Sequence, residues 1–254
     1  MCDELQLAKQ FWIGLDLRNK MTNPTSLKLL IFGGTGVLGQ AIAAKFKSHG
    51  YEVTYGVRKV SNPKDQFLLP ITDTPVPDLL KGQLFDAIVF AQGANINDSV
   101  INNSLDDLNK LFEANVSFIT ETTKSLISLN LIKHKAKMVV LSSFWEQVTR
   151  QEKMSYTITK AAVGGLVRSM AVDLGNAKGI LVNGLLPGVV DSPMARGLLK
   201  PEQIENVEWQ TPGHKMVVPS DVANAAYLLG CEDNTAISGQ SLFVDYGFAI
   251  ARVL

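Results

Sequence analysis

Tyr156 and Lys160 stand four residues apart in "SYTITKAAVGGLVRSMAVDLG". On a helix that spacing puts both side chains on one face and within reach of each other. A phenol whose unperturbed pKa is about 10 is a poor acid or base at neutral pH. A neighbouring ammonium favours the phenolate and draws that pKa toward the working range. Taken alone, the pair also describes an ordinary solvated helix face. Two further polar residues precede it: Ser143 at the end of "AKMVVLSS", thirteen residues before Tyr156, and Asn115 in "LFEANVSFIT".

A second cluster is suited to phosphate. In "IFGGTGVLGQAIA" the glycines read G-x-x-G-x-x-G at Gly33, Gly36 and Gly39. Gly33 permits a tight turn, Gly36 lets backbone approach a pyrophosphate, and Gly39 lets the following helix pack closely on the strand. The helix start adds free N–H groups and a positive dipole end. No Lys-Ser/Thr pair follows, which argues against a nucleoside-triphosphate loop. The spacing alone equally describes a glycine-rich turn with no ligand.

Both clusters need a frame. Apolar strand-like runs at 28–34, 51–57, 85–93, 136–143, 179–188 and 239–247 alternate with helical periodicity after Gly36, around 105–130, from Ser155 to Leu174 and near 219–230. Unbroken apolar strands between helices predict a doubly wound parallel sheet covered on both faces, an α/β Rossmann-type single domain. We expect it over residues 27–254, with 1–26 as an N-terminal extension. That extension is either dispensable or an amphipathic element carrying Leu5, Leu7, Phe11, Trp12 and Leu15.

Composition sets outer limits. The 254 residues are 46% hydrophobic and 19% charged, with 24 basic and 24 acidic side chains. A balanced charge favours neither nucleic acid nor an anionic membrane. No apolar run approaches a transmembrane span, and the first twenty residues lack the apolar block of a secretion signal. A cytoplasmic protein is expected. Cys2 and Cys231 suggest no disulfide framework, and His49, His134 and His214 lack metal-ligand spacing, so no metal is expected.

Together these landmarks change the weight of each. The glycine turn, "FDAIVFAQG", "FEANV", "VVLSS", "SYTITK", "ILVNGLLPGVVDSPM" and "PSDVANAAYLLG…ISGQSLFVDYGF" follow one another over residues 28–249. In that order they resemble the short-chain dehydrogenase/reductase family. The resemblance implies a nicotinamide cofactor and a small-molecule carbonyl or alcohol substrate. It makes Tyr156 the proton donor and acceptor, and has Ser143 hydrogen-bond the substrate oxygen. Lys160 would tune Tyr156 and hold the cofactor ribose, and Asn115 would keep a water in a proton relay. It places the cofactor against Gly33, Thr35, Gly36, Val37 and Leu38, along Phe90, Ala91, Gln92 and Gly93, and beside Pro187, Gly188, Val190 and Ser192. It also implies a homo-oligomer, dimer or tetramer, built on the Ser155–Leu174 helix.

Several positions depart from the family pattern. Phe32 precedes the glycines where threonine is usual, "FAQG" replaces Asn-Asn-Ala-Gly, and Pro70 stands at or near the strand-end aspartate that meets adenine. Phe144 and Trp145 follow Ser143 where small residues are common, which predicts either an apolar pocket wall or simple loop packing. Residues 191–216 match the variable substrate lid. The second strand ends in Arg58 and Lys59, with no acid before Asp65. An NAD site places a carboxylate there, whereas a guanidinium suits the 2′-phosphate of NADP. Two alternatives stay open: a 3-oxoacyl-carrier-protein reductase, and a cofactor-sensing or scaffold protein without turnover. The second is disfavoured because a sensor has no use for Tyr156 as a proton donor.

Overall fold

The computed structural model describes residues 26–71 and 76–251. The expected extension, Ser26 apart, lies outside the described residues, as do Cys2 and the last three residues. Seven parallel strands form one sheet in the order β3-β2-β1-β4-β5-β6-β7. They are β1 (Lys28–Phe32), β2 (Glu52–Val57), β3 (Gln66–Leu68), β4 (Phe85–Phe90), β5 (Ile132–Leu141), β6 (Leu181–Pro187) and β7 (Ser241–Val244). Helices α1 (Val37–Ser48) and α7 (Pro219–Gly230) cover one face. Helices α2 (Leu105–Phe112), α3 (Phe118–Ser128) and α4 (Met154–Lys178) cover the other. Two short helices, α5 (Pro193–Leu198) and α6 (Pro201–Gln210), occupy the segment expected to be a lid.

The apolar runs show why the sheet is buried on both sides. In β1, Leu29 and Ile31 enter the core beneath α1 and α7, while Leu30 and Phe32 enter the core beneath α2 to α4. The two-residue period of a strand supplies both cores from one uninterrupted run. Phe32, the departure from the family's threonine, stacks on Phe90 of β4 at 5.0 Å between ring centroids.

The strand order reverses direction at β1, between β2 and β4, which opens a crevice at the carboxyl ends of these strands. Gly33 turns out of β1 at φ 74°, and a Cβ there would lie 2.5 Å from the Gln92 nitrogen. At Gly39 a Cβ would overlap the Gly33 carbonyl, so its absence sets how closely α1 approaches the turn. Among the described residues no helix is long and apolar enough to cross a membrane.

The single predicted helix around 105–130 is interrupted. Between α2 and α3 the chain makes a π turn over Glu113–Ser117, with Asn115 buried inside it. Such turns insert a residue into the helical ladder and often mark functional positions. Hydrophobic periodicity does not reveal one, because the apolar face continues on both sides.

Gly39→Ala should lower stability by about 1–3 kcal/mol through overpacking. Gly197→Ala, where an added Cβ meets nothing within 4 Å, should leave it nearly unchanged. Urea unfolding of the two variants checks the contrast.

Candidate active site

The structure gathers most of the predicted residues at the carboxyl edge of the sheet. Tyr156 and Lys160 lie in the first two turns of α4, with the Lys160 Nζ 5.5 Å from the Tyr156 ring centroid. Ser143 follows β5 and caps a 3₁₀ turn over Phe144–Glu146, its hydroxyl accepting from the Trp145 N–H at 3.4 Å. That hydroxyl also faces the Tyr156 phenol and favours its ionised form. Lys160 is 4% exposed and donates to the Leu141 carbonyl at 3.2 Å. A Cβ on Gly93 would sit 3.6 Å from the Lys160 Nζ and 3.3 Å from Asn115 Oδ1. The second contact is tight and the first ordinary, so the missing side chain matters for the approach to Asn115.

The electrostatics differ from the sequence expectation. Burial pushes the Tyr156 pKa up to about 12, and the Ser143 hydrogen bond only partly offsets it. Burial also brings Lys160 down to about 8, with Glu146 pulling the other way. The Tyr156 phenol is thus raised rather than lowered, with burial the largest influence. Desolvation outweighs the attraction of an ammonium that points at Leu141.

Asn115 also has a more specific task than its position alone implied. Its Oδ1 accepts from the Ala94 N–H at 2.8 Å, and its Nδ2 donates to the Ala94 carbonyl at 3.0 Å and to Thr159 Oγ1 at 3.1 Å. The carboxamide braces the loop after β4 against α4.

The cofactor positions fit a dinucleotide in most respects. Helix α1 begins at Gly36 without a side-chain cap or an acidic residue in its first turn, so its N-terminal N–H groups suit an anion. Thr35 and Val37 are exposed beside it, and Leu38 packs partly against the core. Arg58 and Lys59 are exposed just past the end of β2. The Phe90 side chain is fully buried against Phe32, which leaves only main chain at that position for a ligand. Gln92, by contrast, has both carboxamide atoms buried without a partner among the described residues. Pro187 ends β6, and Gly188 donates to Val244 at 3.0 Å. Val190 bridges Val217, and Ser192 caps α5 by accepting from Ala195 at 3.2 Å.

Some supporting residues were missed. Asp98 is buried and accepts from the Ser155 N–H at 2.9 Å and from the Ser155 hydroxyl. Lys153 donates to Asn95 at 2.9 Å and to Asn97 at 2.6 Å, and lies 5.3 Å from the Tyr156 ring centroid. The polar run "ANIND" at 94–98 carried this signal, since a buried lysine needs such neutral acceptors. Phe144 is 2% exposed and packs edge-on against Phe248, whereas Trp145 is half-buried beside Arg150. Loop packing therefore accounts for the first aromatic.

Residues 81–249 match the model of a family described as enoyl-(acyl carrier protein) reductase. Glucose 1-dehydrogenase of Gluconobacter oxydans (strain 621H) is 26% identical over 245 residues, covering 88% of this chain and 92% of that protein. L-rhamnose 1-dehydrogenase (NADP(+)) of Thermoplasma acidophilum is 32% identical over 153 residues, 58% of each chain. The crystal structure of a short chain dehydrogenase family protein from Francisella tularensis shares the fold. Its TM-score is 0.78 at 22% identity, over 89% of this chain and all of that one.

A lysine whose pKa falls on folding makes the native state bind fewer protons than the unfolded chain between about pH 8 and the free value near 10.4. The Lys160 contribution to stability therefore rises with pH across that window. Lys160→Met should be more stable than the parent at pH 7.5, and the advantage should shrink by pH 10. Urea midpoints of both proteins at the two pH values measure the difference.

Proposed function

Because the chain belongs to the short-chain dehydrogenase/reductase family, we propose that it is an NADP-dependent oxidoreductase whose acid and base is Tyr156. The substrate is a small or medium-sized carbonyl compound or the corresponding alcohol. The convergence of Tyr156, Ser143 and Lys160, with Gly93 of the loop after β4 against the ammonium, carries this reading. When bound, the cofactor supplies or accepts the hydride, and the chain supplies orientation and proton transfer.

In the reducing direction a phenol held near pKa 12 stays protonated at neutral pH and donates its proton to the carbonyl oxygen. Ser143 donates to the same oxygen and stabilises the negative charge that develops there. In the oxidising direction Tyr156 takes the proton back, and the phenolate needs a nearby cation. Lys160, at about 8, is mostly protonated at neutral pH and close enough to serve. Its ammonium also reaches the loop at Gly93, where the nicotinamide ribose hydroxyls would lie.

Arg58 supports NADP over NAD. It follows the tip of β2, while the next acid, Asp65, is tied two residues short of that tip through its carbonyl to the Tyr55 N–H at 2.7 Å. The relative named for NADP(+) favours the same cofactor. Exposed Ile158 and Val172 on α4 support assembly into a homo-oligomer through that helix. The description of the matching family favours one further reading, reduction of an acyl group on a carrier protein. Acyl thioesters tested beside sugars and ketones separate the two.

Tyr156→Phe should lower turnover by about 10²–10⁴-fold while leaving cofactor affinity nearly intact. Steady-state kinetics and cofactor titration check both halves. Arg58→Ala should reduce catalytic efficiency with NADPH by about tenfold or more and leave NADH almost unaffected. A parent that prefers NADH overturns the cofactor assignment.

A further inference from the structure

One ionisable group beside the site has no task in the reaction as derived. Glu146, in the 3₁₀ turn after Ser143, is 8% exposed. Its Oε1 accepts from Gln147 Nε2 at 3.2 Å, and its Oε2 is buried with no partner among the described residues. No cation among them lies within ion-pair distance of it. A carboxylate removed from water without a cation is costly, so its retention calls for an electrostatic reason.

Its seat identifies that reason. The carboxylate rests against Gly164 of α4, where an added Cβ would overlap Oε1. Gly164 is four residues beyond Lys160, as Lys160 is beyond Tyr156. Tyr156, Lys160 and the glycine notch therefore form one stripe along the helix. The glutamate and the glycine are complementary in size: the missing side chain is the space the carboxylate fills.

We propose that Glu146 is a positioning residue for Lys160, its buried carboxylate in the Gly164 notch supplying the counter-charge that keeps the ammonium protonated and held to the Leu141 carbonyl. This rests on the reading of Lys160 as the cation that serves Tyr156. The effect of Glu146 on the lysine, opposing that of burial, has the required sign. Asp98, the other buried acid beside the start of α4, is engaged by the Ser155 N–H and hydroxyl. On its own helix Lys160 faces Tyr156, and Lys153 beside that ring is held by Asn95 and Asn97. From α2, Asp106 and Asp107 pair with Lys110 in solvent, and Glu113 of the π turn is exposed. Residues 138–141 of β5 and all of β6 carry no titratable side chain.

The test follows the Lys160 ammonium directly in the full-length protein. ¹³C NMR of protein labelled at the lysine ε-carbon, with the signal assigned by its loss in Lys160→Met, gives its titration midpoint. Glu146→Gln keeps the shape and removes the charge, and should lower the midpoint by about one pH unit. The alkaline limb of kcat/KM should move down by the same amount, and Glu146→Asp should restore part of it. An unmoved midpoint in a variant that has only lost thermal stability makes Glu146 a packing residue and overturns the proposal. A moved midpoint with an unchanged rate profile upholds it and instead overturns the role given to Lys160 in catalysis. If Glu146→Gln does not fold, Gly164→Ala displaces the carboxylate from its notch. The same downward shift is then expected, and its absence is equally decisive.

Discussion

The burial of a single ammonium organises this active site. Lys160 lies in the seam between α4 and the carboxyl end of β5, with 4% of its surface exposed. In that setting the charged form is costly, and it persists only where acceptors or opposite charges offset the loss of water. The Leu141 carbonyl is one such acceptor, and Glu146 pulls the ammonium toward its charged form. Gly93 allows the loop after β4 to approach the same point, and Asn115 clamps that loop through both main-chain atoms of Ala94. Each of these neighbours comes from a different element, so the lysine ties together parts of the sheet that are distant in sequence.

The opposite side of the crevice is governed by close backbone approach rather than by charge. The turn after β1 touches the loop after β4 because Gly33 has no side chain to meet the Gln92 nitrogen. Helix α1 then starts uncapped with its N–H groups toward the crevice. The backbone ladder sets the spacing of the two strands whose ends form the crevice, and the stacked rings of Phe32 and Phe90 fill the core beneath it. The residues that replace the family's usual Thr and Asn are thus absorbed into the core, and the cradle above them is formed by main chain.

The loop at 94–98 joins the two sides. Asp98 accepts twice from Ser155, and Lys153 is held by Asn95 and Asn97, all just ahead of Tyr156. These contacts fix the start of α4, and with it the direction of the phenol. The loop beside Tyr156 is therefore braced at both ends, by Asn115 on one side and by Asp98 on the other.

The sequence by itself determined the sheet, the alternation of helices and the shared helix face of Tyr156 and Lys160. Strands buried on both faces must be apolar throughout, and Tyr156 and Lys160 must share a face if the segment is helical, so pattern alone carries that information. It did not determine protonation. The levels of Tyr156 and Lys160 depend on how completely each is desolvated and where its neighbours point, and burial raises the phenol and lowers the ammonium. Nor could it place Phe90 in the core rather than the cleft, since both are apolar strand ends in sequence. The π turn at Asn115 and the seating of Glu146 against Gly164, eighteen residues away, exist only once β5 and α4 are packed together. Periodicity encodes which face of an element is buried, whereas the electrostatics of a site depend on distances between elements that only the packed fold sets.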